Sequence, residues 1–320
     1  MTSPPPPAPR AAGGEPTLVL VDASVYVFRA WHSMPNEFHD AEGWPTNAVH
    51  GFTRFLLELL ERTRAEHVVV AFDEALDTCF RNRIYPAYKA NREPAPDELK
   101  RQFAHCRALC EAMGLTVLAD TDYEADDLIG SALHAARAHG FRGVIVSADK
   151  DLSQLLSGSD EQWDFARGQR WDAGGVPARH GVRADQIADY LALAGDAIDN
   201  IPGVPGIGAK SAATLLAHFG TLDALLARVE EVPYLSSLRG AARCAQQLRL
   251  HREQALLCRE LSTIALHAPC GPQAAPFARR PACPERLRET ADQLRLGPLT
   301  RRRLHAACGL DFMPAASQGD

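Results

Sequence analysis

The stretch TLVLVDAS, residues 17–24, decides the fold. Five apolar or β-branched residues run unbroken into Asp22 with no polar alternation, the pattern of a strand buried on both faces of a parallel sheet. It returns in HVVVAFDEA (67–75), which ends around Asp73, and in FRGVIVSADKD (141–151), which ends in Asp149 and Asp151. Between these runs, residues 47–66, 97–114 and 123–140 carry apolar side chains at helical spacing. Strands alternating with helices predict βαβ units and a mostly parallel sheet. Sites in such sheets form outside the carboxyl ends of the strands, and three strands here deliver an aspartate to that edge.

From about Gly181 the strand-like runs fade. RADQIADYLALAGD (183–196), IGAKSAATLLAHFG (207–220) and TLDALLARV (221–229) read as short helices separated by glycine turns. The expected organisation is a disordered Pro-rich leader (1–16), an α/β domain (17–180), a helical domain (181–268) and a Pro- and Arg-rich C-terminal segment (269–320). The 320 residues are 46% hydrophobic and 23% charged, ordinary for a globular chain. No run approaches the ~18 apolar residues of a membrane helix. The leader lacks the apolar core of a secretory signal, and the eight cysteines show no CxxC pair or zinc-like spacing. A cytoplasmic location with reduced thiols is expected.

A lone aspartate after a strand is ordinarily a turn or helix cap, and acids in a first helical turn are favoured by the macrodipole. Density weakens that account here. YEADD places Glu124, Asp126 and Asp127 within four residues, opposite the strand-end Asp22 and Asp73. Such a group repels itself unless cations neutralise it. SADKDL adds Asp149 and Asp151, which in an extended segment face one way, and GDAIDN adds Asp196 and Asp199, which at helical spacing share a face. An all-oxygen set without His or Cys selects hard cations such as Mg²⁺ or Mn²⁺, and nine acids fit two ions arranged for phosphoryl chemistry. The net charge of −6 argues against a nucleic-acid partner, but setting these nine aside turns the balance positive.

GVPGIGAKSA (203–212) is neither a Walker loop nor GxGxxG. Its Gly206 and Gly208 still open a helix with backbone N–H groups toward an anion, and Lys210 and Ser211 follow directly, a way to grip a phosphate backbone without reading bases. CFRNRIYPAYKANR (79–92) carries Arg81, Arg83, Lys89 and Arg92 without an acid. Its interleaved Phe80, Tyr85 and Tyr88 suit charge-and-stacking capture of single strands. Phe80 and Tyr85 read better as core-packing rings.

Taken in order, Asp22, the FD at Asp73, FR…YPAYKANR, YEADD, ADKDL, GDAIDN and GVPGIGAKSA resemble the bacterial 5′-nucleases, the family of the 5′→3′ exonuclease domain of DNA polymerase I and its stand-alone and phage flap-endonuclease relatives. The resemblance runs from about Leu18 to about Phe312. It implies a PIN-like α/β domain followed by a helix-hairpin-helix domain, acting on DNA with a free 5′ end, a nick or a 5′ flap in replication or repair. By this resemblance Asp22, Asp73, Glu124, Asp126 and Asp127 belong to a first metal cluster, and Asp149, Asp151, Asp196 and Asp199 to a second. Arg81 and Lys89 would act on the scissile phosphate, Arg92 would belong to a helical arch over about 80–107, and Phe28 and Arg29 would lie near the cleaved end. The Gly206–Gly208 hairpin holds K⁺ in some members. Without a polymerase region the chain reads as a stand-alone, monomeric, nucleoid-associated nuclease. A non-catalytic DNA-binding protein on the same fold and a PIN-like ribonuclease are the competing readings.

Overall fold

The computed structural model describes residues 15–74, 78–271 and 277–311; most of the leader and the residues from Phe312 onward lie outside it. Strand β1 (Thr17–Asp22) forms the centre of the sheet and leads into α1 (Ala23–Ser33) and α2 (Asn47–Thr63). Then follow β2 (His67–Asp73), the short α3 (Phe80–Ile84), α4 (Asp97–Ala112), β3 (Thr116–Asp120), α5 (Ala125–Arg137) and β4 (Arg142–Val146). Strands β5 (Glu161–Asp164) and β6 (Gln169–Asp172) complete a six-stranded sheet of order β3-β2-β1-β4-β5-β6, parallel except for β6 against β5. The chain moves outward from β1 through β2 to β3, then returns to β4 on the other side of β1. That reversal opens a crevice at the carboxyl ends of β1 and β4.

Side-chain parity along the strands separates two cores. Leu18, Leu20, Val69 and Ala71 face α5, while Val19, Val21, Val68, Val70 and Phe72 face α1, α2 and α4. Both faces are dry, which explains the unbroken apolar runs.

The second half is helical, as its composition predicts: α6 (Val176–His180), α7 (Ile187–Ala194), α8 (Ala209–Phe219), α9 (Leu222–Ala227), α10 (Ala241–Leu250) and α11 (Arg252–Ser262). Its apolar residues do not form a separate core. Leu191, Phe219, Leu248 and Cys258 belong to the same buried cluster as Leu18 and Ile145. The tail turns back onto the opposite face, where Leu287 of α12 (Pro284–Gln293) and Leu304 of α13 (Pro298–Ala307) join the other core. Five of the eight free cysteines are buried. No helix among the described residues is long and apolar enough to cross a membrane.

One expectation needs correction here. The arch of 80–107 is not free-standing over its length, because Leu99, Gln102 and Cys106 of α4 are buried. Only the segment between α3 and α4 is left for such a role.

Candidate metal centre and nucleic-acid interface

Asp22 ends β1 and caps α1, accepting a hydrogen bond from Val25 N at 3.4 Å and another from Ser147 Oγ at 2.7 Å. The bland cap role is therefore real, yet it leaves the carboxylate buried beside other acids. Burial first, then the charges of Asp73 and Asp149, raise its pKa to about 7. Asp73 ends β2 and accepts from Ala125 N, 2.8 Å away at the N-terminus of α5. Its pKa is raised by burial and by Glu124, against the pull of Lys89. Asp126, in the first turn of α5, is pushed well up by burial and then by Asp149, Asp22 and Asp73. Carboxylates from β1, β2, α5 and the loop after β4 therefore share one electrostatic site at the switch-point edge.

Asp149 and Asp151 do not lie on an extended strand. β4 ends at Val146, and Asp151 opens a 3₁₀ turn whose N–H donates to Asp149 Oδ1 at 2.9 Å. Burial and Asp149 raise Asp151 to about 8, and its Oδ1 is buried without a hydrogen-bond partner.

Asp196 and Asp199 are also not on a helix. They sit on a loop closed by a bridge between Asp196 and Ile201, whose backbone groups exchange two 2.8 Å hydrogen bonds. Glycine permits this closure. A Cβ on Gly203 (φ +64) would fall 2.4 Å from Gly195 N, and one on Gly195 (φ +77) 2.7 Å from Ile201 O. Asp196 Oδ1 accepts from Ile198 N at 2.8 Å, and Lys150 Nζ donates to its Oδ2 at 2.7 Å. Burial opposes ionisation of Asp196, but Lys150 prevails and holds it below the usual carboxylate range. Asp199 pairs with Arg92 at 2.6 Å and with Lys89 at 3.6 Å.

Lys89 joins the two groups. Its ammonium bonds Glu124, its backbone N–H donates to Asp199 O at 3.0 Å, and its φ of +54° is a conformation that few residues other than glycine adopt. Burial would discharge it, but Glu124 and Asp199 keep its pKa raised. Glu124 in turn stays below its ordinary range despite burial, through Lys89 and Arg81.

Three expected roles meet contrary geometry. Tyr88 is 3% exposed and packs in the core, with its hydroxyl 2.9 Å from Glu124 Oε2, so it cannot stack on a base. Asp127 is fully buried with both oxygens taken by Arg81, which removes it from the ligand group. Arg81 is equally spent and has no reach to a phosphate. Among the described residues, no three His, Cys, Asp or Glu side chains form a ready-made metal cage. Several of these acids are paired with cations of the chain itself: Glu124 and Asp199 with Lys89, and Asp196 with Lys150.

The remaining predicted residues line the surface. Phe28 and Arg29 are exposed on α1, the Phe28 ring edge-on to Phe103 at 5.3 Å. Gly206 (φ +83), Gly208, Lys210 and the half-buried Ser211 form the entry to α8, anchored beneath by buried Ile207. Sequence reasoning missed Ser147, Lys150, Gly195 and Gly203. Ser147 and Lys150 stood within SADKD, but nothing in the spacing marks which acid a neighbour will reach.

Comparisons with known proteins give the family and the fold. The model of the 5′-3′ exonuclease N-terminal resolvase-like domain matches residues 17–181, and that of the 5′-3′ exonuclease C-terminal SAM fold matches residues 182–295. DNA polymerase I of Pseudomonas aeruginosa is 41% identical over 248 residues, 77% of this chain and 27% of that protein. DNA polymerase I of Mycobacterium bovis is 35% identical over 303 residues, 93% of this chain and 31% of that protein. The chain thus spans under a third of the length of these relatives. Phage T5 5′-exonuclease, solved with bound zinc, has a TM-score of 0.63 at 20% identity, covering 87% of this chain and 99% of its own. The catalytic core of Rad2, solved with a DNA substrate, has a TM-score of 0.59 at 15% identity, covering 91% of each chain. Both domain models fit end to end over the sheet and the helical half that frame these acids, and the chain belongs to the 5′-3′ exonuclease family.

Proposed function

We propose that this chain is a divalent-metal-dependent 5′→3′ exonuclease and 5′-flap endonuclease that hydrolyses DNA phosphodiesters in replication or repair. The observation that carries the reading is the meeting of acids from β1, β2, α5 and the loop after β4, each raising the pKa of others. Acids that repel one another this strongly fit hard cations, and the donors are all oxygen. The unpartnered Asp151 Oδ1 fits the same need.

Asp22, Asp73, Glu124 and Asp126 would hold one Mg²⁺ or Mn²⁺, and Asp149, Asp151, Asp196 and Asp199 a second. Bound there, such ions supply Lewis-acid polarisation of the phosphate and a stronger nucleophile. The chain's own residues do the rest. Lys89 stays protonated between the two acid groups, where its ammonium would stabilise charge developing on the phosphate. Arg92 holds Asp199 and offers its exposed side to the backbone. Phe28 and Arg29 receive the 5′ end beside the crevice. Backbone N–H groups at Gly206 and Gly208, with Lys210 and Ser211, grip duplex phosphates, and backbone carbonyl oxygens of the same hairpin hold a K⁺ ion. The protein works as a monomer in the cytoplasm, at the nucleoid.

The test is digestion of a 5′-labelled flap duplex in Mg²⁺ and in EDTA, with an RNA flap in parallel. Metal-dependent release of the DNA flap is expected. Binding without cleavage would favour a non-catalytic DNA-binding protein, and faster RNA cleavage would favour a ribonuclease.

A further inference from the structure

Arg81 lies under the candidate site with 3% of its surface exposed. Its Nη1 donates to Asp127 Oδ2 at 2.7 Å and Glu124 Oε2 at 3.1 Å, and its Nη2 to Asp127 Oδ1 at 2.7 Å. The guanidinium also donates to two backbone carbonyls where α11 ends, Nε to Leu261 O at 2.8 Å and Nη2 to Thr263 O at 2.9 Å. A guanidinium has five N–H donors, and five oxygens take them. None is left for a substrate. Asp127 is likewise complete, accepting in addition from Glu124 N at 3.1 Å and Ala265 N at 2.8 Å.

The result is a buried pair with three attachments: the base of the 79–92 segment, the N-terminus of α5, and the stretch after α11. Glu124 is fixed by it twice, through its backbone N–H on Asp127 and its carboxylate on Arg81. The other carboxylate oxygen of Glu124 holds Lys89. We propose that Arg81 and Asp127 are positioning residues: they set the orientation of Glu124, and through it Lys89, and tie that orientation to the end of α11 in the helical half. A buried bidentate pair suits this task, because its planar fork admits one geometry and losing either partner strands a charge.

The inference rests on the nuclease reading, and the experiment keeps the two apart. If the unsubstituted chain cuts no 5′-ended DNA, the nuclease reading fails. If it does cut, Arg81→Lys tests the pair, since lysine keeps the charge but cannot reach all five oxygens. The expected result is a single-turnover rate lower by about 100-fold, the cost of a misplaced catalytic group, with flap-duplex Kd unchanged. The amides of Glu124 and Ala265, both donors to Asp127, should exchange faster with solvent even without metal or DNA. In a Glu124→Ala background the same substitution should cost little more, because residues acting as a unit are not additive. Should Arg81→Lys fail to fold, the double variant Arg81→Met/Asp127→Leu replaces the pair with apolar groups, which cores often accept. A folded variant with the wild-type rate overturns the proposal. So does an equal loss in the Glu124→Ala background, or a loss carried by Kd.

Discussion

The sheet's carboxyl edge and the loop-and-hairpin of residues 195–211 both present acids, and they hold them by opposite means. At the edge, Asp22, Asp73 and Asp126 are driven upward by burial and by neighbouring carboxylates. On the loop, Asp196 is held below its usual range by Lys150, and Asp199 carries Arg92. The edge gathers carboxylates that disfavour one another's ionisation. The loop's acids arrive with their counterions built in, Asp196 with Lys150 and Asp199 with Arg92 and Lys89. One region carries repulsion that no built-in cation fully relieves, and the other arrives compensated.

The largest expected effect falls where the edge meets the 3₁₀ turn. Asp149 raises Asp22, Asp126 and Asp151 together, so it is the acid most central to the group. Asp149→Asn should reduce cleavage by more than about 10³-fold, above what one electrostatic donor supplies, while flap affinity holds because the grip lies elsewhere. Turnover near wild type in Mg²⁺ would remove the edge from the chemistry.

Lys89 belongs to both regions and sharpens the contrast between them. Its removal should lower kcat by about 10²-fold with KM little changed, if its ammonium acts on the reacting phosphate. Single-turnover rates of Lys89→Ala at saturating enzyme decide this, and an unchanged rate would leave Lys89 only as a counterion for Glu124 and Asp199.

Much of this contrast was legible beforehand. Unbroken apolar runs ending in Asp22 and Asp73 marked buried parallel strands, and the density of acids around them marked a loaded edge that capping alone does not explain. Gly206 and Gly208 marked the hairpin because glycines cluster at a tight helix entry, although only Gly206, at φ +83°, needs the left-handed conformation. What failed were the local geometries. The spacing of Asp196 and Asp199 matched a helix, yet tertiary closure through Gly195 and Gly203 made a bridged loop. Asp127 was indistinguishable by type from Asp126, and only packing turned it inward to Arg81. Tyr88 looked like a stacking ring until the core claimed it. Residue type reports the chemistry available, whereas which neighbour takes each oxygen is set by contacts more than a hundred residues apart, such as Arg81 with Leu261.

A smaller effect is expected at the hairpin. Gly208 has φ −94° and open space around its Cβ direction, so a side chain there meets no strain and no protein atom. Gly208→Val should therefore fold normally and yet obstruct a phosphate, weakening two unrelated flap duplexes by a similar factor of about 10, with the salt dependence of backbone contacts. A folded variant that binds both duplexes as tightly as the unsubstituted chain would detach the hairpin from binding. A lowered Tm would mean that the glycine serves the turn itself.

The smallest effect bears most directly on the contrast, because it needs neither DNA nor catalysis. If the edge stores repulsion, neutralising one of its acids relieves the metal-free protein. Asp22→Asn keeps an oxygen to accept from Val25 N or Ser147 Oγ and removes a buried charge facing Asp73 and Asp149. If the loop is already compensated, the same change there does harm. Asp196→Asn leaves the Lys150 ammonium without its partner and weakens the acceptor for Ile198 N. In EDTA near pH 8, Asp22→Asn should raise Tm and Asp196→Asn should lower it, each by about 2–4 °C for a change on the order of 1 kcal/mol. Adding Mg²⁺ should then raise the Tm of the unsubstituted chain more than that of Asp22→Asn, since ligand binding stabilises the state that holds it. Two shifts of the same sign in EDTA would show that the edge and the loop do not differ in the way their pairing implies.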